Sequence, residues 1–301
     1  MTDPAAAASA QTGARSADAQ VGSAPASAKG GPAPSPAAPG TATPVQDELV
    51  RAQTTGSVTT ITLNSPASAN ALSTPLLTQL RAALDVALAD PDTRVIVLTG
   101  AGRVFCAGAD LKEALTNPSG ATGLMAGVLQ TLWDSPKPVI CRVNGSARAG
   151  GIGLIAACDI AIAPQNATFA FSEVRIGVVP AVISVPCLRR MPSRAAAEYF
   201  LTGEVFRASR AAVIGLLTHS VPETDLDKET ARYASLLLRG APGALAGAKA
   251  VLRDVPTASV ADGLVRMAEL SGSFFASDEA HEGMTAFAAK RDPAWVPRTE
   301  A

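Results

Sequence analysis

Two stretches of this chain hold residues whose types and spacing could do chemistry. One is residues 171–177 (FSEVRIG), where Glu173 follows a short apolar run. A carboxylate there transfers protons if it sits against an apolar pocket, because burial disfavours its charged form and raises its pKa toward a useful range. Left in water, it is only a solvated surface residue. The other is residues 144–159 (NGSARAGGIGLIAACD), where small residues run into an apolar segment. Backbone N–H groups at such a turn can stabilise a developing negative charge at a helix start, or the glycines can simply permit close packing. The remaining reactive types form no pattern. Cys106, Cys141, Cys158 and Cys187 have no CxxC spacing, and His219 and His281 lie far from them, so neither a metal site nor a Ser/Cys–His triad is expected. His219 is expected in a loop and His281 in the first turn of the last helix, both at the surface. Asp110 and Asp159 each follow small residues, and both are expected to accept backbone hydrogen bonds.

These residues need elements to position them. Residues 58–63 (VTTITL) read as a strand closed by Asn64-Ser65-Pro66, with folding beginning near Val50. A helix follows, with Ser73 as N-cap, Pro75 in its first turn, and Leu76, Leu77, Leu80, Leu84 and Leu88 at helical spacing. Residues 95–99 (VIVLT) and 139–143 (VICRV) are continuous apolar runs ended by glycine, as in strands buried on both faces. Short strands are expected at 160–163 and 168–171, and a helix at 154–157. Strand, glycine-rich turn and helix thus recur, which implies an α/β core with ligands at strand ends. From about Ser193 the pattern turns helical, at 194–201, 209–214, 227–238, 244–255, 260–275 and 278–290, as a cap, an oligomerisation surface or plain completion of the core.

Composition narrows the classes. Lys and Arg number 25 against 26 Asp and Glu, so no bulk basic field exists to draw nucleic acid or an anionic membrane surface. The chain is 48% apolar, ample for a core. No run approaches the ~20 apolar residues of a membrane span, and the cysteines read as small buried hydrophobes suited to a reducing cytoplasm. Residues 1–45 are almost wholly Ala, Pro, Ser, Gly and Thr and are expected to form a disordered leader. The expected organisation is this leader, an α/β core over 46–192, and a helical region over 193–297.

Three segments and the C-terminus resemble the crotonase (enoyl-CoA hydratase/isomerase) superfamily over residues 50–297. Residues 66–73 (PASANALS) are similar to its early CoA-contacting loop, 105–113 (FCAGADLKE) to its first oxyanion segment, 144–159 to its second, and 282–295 (EGMTAFAAKRDPAW) to its C-terminal helix. The resemblance implies a spiral α/β core of repeated ββα units with a C-terminal helical trimerisation region, hence a homotrimer or homohexamer. It also implies an acyl-CoA substrate, no metal, and no cofactor beyond the CoA of that substrate. By it, the backbone N–H groups of Ala109 and Gly150 form an oxyanion hole and Glu173 is the acid/base. Ala67, Ala69, Ala107, Asp110, Leu111, Ala149, Ser172 and Arg148 contact the CoA ester, and Lys290 reaches the CoA of a neighbouring subunit.

In one respect the chain departs from the hydratase pattern. The family's second glutamate aligns with Gly153, so one carboxylate remains. Residues 172–184 with Gly153 look like a bacterial branch that includes 3-methylglutaconyl-CoA hydratases of leucine breakdown. The distal carboxylate of that substrate would favour a cation in the acyl pocket, with Arg148 and Arg175 as candidates. Expected, then, is a 2-enoyl-CoA hydratase, the alternatives being a 3-enoyl/2-enoyl-CoA isomerase, a noncatalytic acyl-CoA binder and, more remotely, a thioesterase.

Overall fold

The computed structural model describes residues 47–117 and 119–297. The expected leader at 1–45 lies outside the described residues, which include the core and C-terminal regions.

The chain is built from pairs of strands followed by a helix. The first unit is a hairpin, β1 (Val50–Thr55) and β2 (Val58–Leu63), then helix α1 (Thr74–Ala89). On β2, Ile61 and Leu63 face inward while Thr60 and Thr62 are only half-buried, the period of two expected of a strand with one face on the core. α1 starts where Ser73 accepts from the Leu76 amide, with Pro75 in its first turn. Its Leu76, Leu77, Leu80 and Leu84 are buried. Each such burial contributes about 1.5–3 kcal/mol.

Three further units repeat the arrangement. β3 (Val95–Gly100) and β4 (Val104–Cys106) lead through a short α2 (Leu111–Thr116) to α3 (Gly120–Asp134). β5 (Val139–Arg142) and β6 (Ser146–Arg148) lead to α4 (Gly150–Ala157), and β7 (Ile160–Pro164) and β8 (Thr168–Ala170) lead to α5 (Ala181–Arg190). The members of each pair join different sheets. The first members join both strands of the opening hairpin and β10 (His219–Val221) in a six-stranded sheet, ordered β1-β2-β3-β5-β7-β10 and parallel apart from the hairpin. The second members build a four-stranded sheet with parallel neighbours β4-β6-β8 and an antiparallel edge. The main core, with Phe105, Phe169 and Phe171 among its largest fully buried side chains, packs beneath the helices.

After α5 come α6 (Ser193–Thr202), β9 (Phe206–Arg207), α7 (Ala208–Val213), β10 (His219–Val221), then α8 (Leu226–Leu238), α9 (Pro242–Asp254), α10 (Val260–Phe275) and α11 (Asp278–Ala288). The stretch expected to be helical from Ser193 thus contains two strands. β9 pairs with β8 and β10 with β7, so each supplies the last edge of a sheet. They were hidden by their length of two and three residues, too short for alternation to register. His219 accordingly lies in β10, exposed, and not in a loop; it stacks near Tyr233 at 5.9 Å. His281 lies in the first turn of α11.

Candidate active site

The site forms where the second strands of two units end. At the end of β4 the chain reaches Gly108, whose φ of +91° is one that glycine adopts without strain. Leu72 pairs with Ala109 there in parallel fashion. The Leu72 amide donates to Gly108 O at 2.8 Å, and the Asp110 amide donates to Leu72 O at 3.4 Å. In this register Leu72 uses both its backbone groups and Ala109 uses neither, so the Ala109 N–H has no protein acceptor among the described residues. The Ala107 amide adds a bond to Ala69 O at 3.0 Å, so the loops 66–72 and 107–112 run side by side.

A residue that sequence reasoning passed over fixes this pair of loops. Asn70 is fully buried, accepts from the Ser65 amide, and donates to the carbonyls of Ala101, Val104 and Phe105. The usable signal was an asparagine among small residues, since asparagine tolerates the left-handed region better than most, and its φ is +55°.

The second turn follows β6. Ala149 has φ +47° and ψ −119°, a conformation costly for a residue with a Cβ, of order 1–3 kcal/mol. It turns the chain so that Gly150 becomes the first residue of α4, where no helical acceptor exists for its N–H. That N–H also has no acceptor among the described residues, and the helix dipole adds to its pull on negative charge. Both turns need their small residues. A Cβ on Gly108 would lie 2.8 Å from Ala149 Cβ, and one on Gly150 2.7 Å from Leu72 Cδ1.

Ala109, Ala149, Gly150 and Glu173 line one cavity of about 230 Å³, closed by Leu72, Met125 and the segment from Val179 to Ile183. Glu173 sits in a 3-10 turn, Ser172–Ile176, stopped by Gly177 at φ +75°. One carboxylate oxygen, Oε2, is buried with no hydrogen-bond partner among the described residues. Burial pushes the Glu173 carboxyl above its ordinary range. Two unsatisfied N–H donors and a half-buried base thus face one small apolar space, an arrangement able to hold an oxyanion while a proton moves.

The other expected contacts divide. Ala67, Ala69, Ala107 and Leu111 lie on the paired loops, Ala107 and Leu111 exposed. Asp110 caps α2, accepting from the Lys112 and Glu113 amides, and Asp159 accepts from the Val139 amide and from Lys249 Nζ. Ser172 opens the 3-10 turn beside Glu173. Arg148 does not line the cavity. Its guanidinium donates to the carbonyls of Ala147 and Thr168 and to Thr168 Oγ1, so both terminal nitrogens are held by β6 and β8. Arg175 likewise turns away, to Thr202 O. Lys290 is exposed past the end of α11, outside the cavity of its own chain.

Position 153 is closed as well as empty of a carboxylate. Ile183 packs over it, and a Cβ there would lie 2.5 Å from Ile183 Cγ2. The wall formed by Val179, Val182 and Ile183 belongs to the 172–184 segment that carries the branch resemblance, but this apolar run around Pro180 has no clear period to mark it as a pocket wall. Cys106, Cys141, Cys158 and Cys187 are all buried free thiols, with the Cys106 thiol pushed up to about 12 by burial. Among the described residues no three His, Cys, Asp or Glu side chains gather as metal ligands.

Known proteins resemble this chain in sequence and fold. Residues 53–298 match the family model described as enoyl-CoA hydratase/isomerase. The 2,3-dehydroadipyl-CoA hydratase of Escherichia coli K12 is 36% identical over 77% of this chain and 92% of its own length. A mitochondrial enoyl-CoA hydratase domain-containing protein 3 of Xenopus laevis is 34% identical over 78% of this chain and 82% of its own. Among solved structures, human enoyl-CoA hydratase domain-containing protein 3 superposes with a TM-score of 0.78 at 31% identity, covering 82% of this chain and 100% of that one.

Proposed function

This chain belongs to the enoyl-CoA hydratase/isomerase family, a crotonase-type fold, and from that premise we propose that it hydrates a 2-enoyl-CoA to a 3-hydroxyacyl-CoA. The observation that carries the reading is the single cavity lined by Ala109 and Gly150, whose N–H groups have no acceptor among the described residues, and by the half-buried Glu173. CoA lies along loops 66–72 and 107–112, and the thioester oxygen enters between the two N–H groups. Hydroxide from water bonds to C3 as the 2,3 double bond breaks, and the electron pair moves onto the thioester as an enolate. The two donors stabilise that charge more than they stabilise the neutral substrate. Glu173, entering as a carboxylate, takes the proton that the water releases as its O–H bond breaks and passes it to C2, with the water oriented in part by backbone and substrate. The chemistry draws on backbone amides and one carboxylate, with CoA entering as part of the substrate and no further cofactor.

The finer reading is a substrate with a carboxylate at its far end, 3-methylglutaconyl-CoA in the first instance. The name of the Escherichia coli relative, a 2,3-dehydroadipyl-CoA hydratase, supports a dicarboxylic acyl group more generally. One observation favours a second reading, isomerisation of 3-enoyl-CoA. With Ile183 over Gly153, no second carboxylate can grip water, whereas one base suffices to carry a proton between C2 and C4. The buried free thiols suit a reducing cytoplasmic setting, and no helix among the described residues is long and apolar enough to cross a membrane. A homotrimer or homohexamer, with Lys290 turned toward a neighbour's CoA, would cover the exposed Leu264, Phe275, Met284 and Phe287 of α10 and α11.

The test is incubation of the purified protein with crotonyl-CoA and 3-methylglutaconyl-CoA, with products identified by mass. Gain of one water is the expected result. No mass change with either, together with conversion of a 3-enoyl-CoA to its 2-enoyl isomer, would replace the hydratase with the isomerase.

A further inference from the structure

A second and larger space, about 550 Å³, opens between α3, α5 and the end of α9. It shares Val182 with the catalytic cavity. Both spaces are walled by the same two helices. Met125 of α3 faces the first and Leu129 and Trp133 the second, while on α5 Ile183 faces the first and Pro186 and Arg189 the second. At 1.5 Å per residue, Arg189 lies roughly 10 Å beyond Val182 along α5. An acyl chain leaving the oxyanion turns past Val182 therefore runs into a trough with an apolar floor of Leu129 and Pro186, both buried, and a charged far end.

The charges at that end are not equivalent. Arg253 is paired with Asp134 and Asp254, and Asp134 also receives Gln130. Arg190, which stacks on the Trp133 ring at 5.0 Å, donates to the carbonyls of Ala156 and Cys158. Arg189 differs. It donates only to Val185 O through Nη1, and among the described residues no carboxylate answers its charge. It lies at the edge of the trough, with its guanidinium 5.9 Å from the Trp133 ring centroid, which leaves its remaining donors available.

We propose that this trough is the distal acyl subsite and that Arg189 binds the terminal carboxylate of a dicarboxylic acyl-CoA. The inference rests on the acyl-CoA reading of the neighbouring cavity. It places distal recognition on α5, seven residues past Val182, and not on Arg148 or Arg175, whose donors are turned to backbone carbonyls. A guanidinium suits the task because its planar fork meets both oxygens of a carboxylate. Arg189 is exposed, so the gain is moderate and screened by salt.

The experiment measures binding by calorimetry, which needs no turnover. Wild type is titrated at low ionic strength with adipoyl-CoA against hexanoyl-CoA and with suberoyl-CoA against octanoyl-CoA. In at least one pair the dicarboxylic member should bind about fivefold tighter. Arg189→Leu should abolish that preference while holding octanoyl-CoA within about twofold of wild type, and Arg189→Lys should keep part of it. Arg194→Leu, removing an exposed charge at the start of α6, should keep all of it. Equal binding within both pairs, or a preference that survives Arg189→Leu, would overturn the proposal. A failure to hydrate any enoyl-CoA would instead strike the catalytic reading and leave this result standing.

Discussion

Two turns in this molecule offer the same thing, one backbone N–H aimed into the catalytic cavity, and they reach it by different means. At Ala109 the donor is freed by pairing: Leu72 takes up the neighbouring backbone groups, and Gly108 supplies the left-handed φ at no strain. At Gly150 the donor is freed by position, as the first N–H of a helix, and the left-handed residue before it is Ala149, which carries a Cβ. The first turn is held from outside by a loop anchored on Asn70. The second is held from beneath by α4, whose residues from Gly151 to Ala157 are all buried. A rigid donor can thus be obtained by tethering a loop or by burying a helix, and each route holds an alanine at positive φ, Ala69 at +53° in the tethered loop and Ala149 at +47° before the helix.

The sharpest way to separate the turns from the base is Glu173→Gln. It leaves both N–H groups in place, so CoA-ester binding should change little while kcat falls about 100- to 10,000-fold. Wild-type kcat/KM should climb as pH rises through the raised pKa of Glu173, and the variant should lose that climb. Stability carries the opposite sign. The folded state holds this proton to higher pH than the unfolded chain does. Stability therefore falls as pH rises from the ordinary carboxylate range through the raised folded value, and the variant's Tm at neutral pH should match or exceed wild type.

The comparison between the turns is broken more directly by giving each a Cβ. Gly108→Ala forces a left-handed alanine against the Ala149 Cβ and, 3.1 Å away, against Arg148 O, which is backbone and cannot yield. Displacing its donor should lower kcat by about 100-fold or more. Gly150→Ala meets the end of Leu72, a side chain able to rotate, and should lose clearly less. If Gly150→Ala were the more damaging, the tethered turn would not be the less forgiving of the two. The smallest effect is expected from Ala149→Gly. Relief of the strained φ should raise Tm by about 2 °C with kcat unchanged, read by a thermal melt and a steady-state assay.

Much of the six-stranded sheet was legible in the sequence, because β3 and β5 are apolar at most positions and are closed by Gly100 and by Asn144-Gly145. The partner strands were harder. β4 (VFC) and β6 (SAR) are three residues long and stand next to the functional turns, where local residue choice answers to ligand approach and not to periodicity. α3, with three glycines, and α5, with Pro186 inside it, violate helix propensity and were not anticipated, yet between them they wall both cavities. Ala109, Gly150 and Glu173, which the resemblance named together, line one cavity. The cations did not follow, since whether an arginine meets a backbone carbonyl or open space is decided by tertiary packing.

The late arrival of β9 and β10 bears on how the chain is made. A ribosome releases the site-bearing turns and Glu173 before residues 206–221, yet until then β8 and β7 each present a bare sheet edge. Every nascent chain therefore passes through a stage in which the residues of the site have been made and the last partner of each sheet has not. That interval is when a chaperone would be needed and when a destabilising substitution in α7, which packs on β9 and β10 and does not line the cavity, would be felt as lost yield and not as lost turnover.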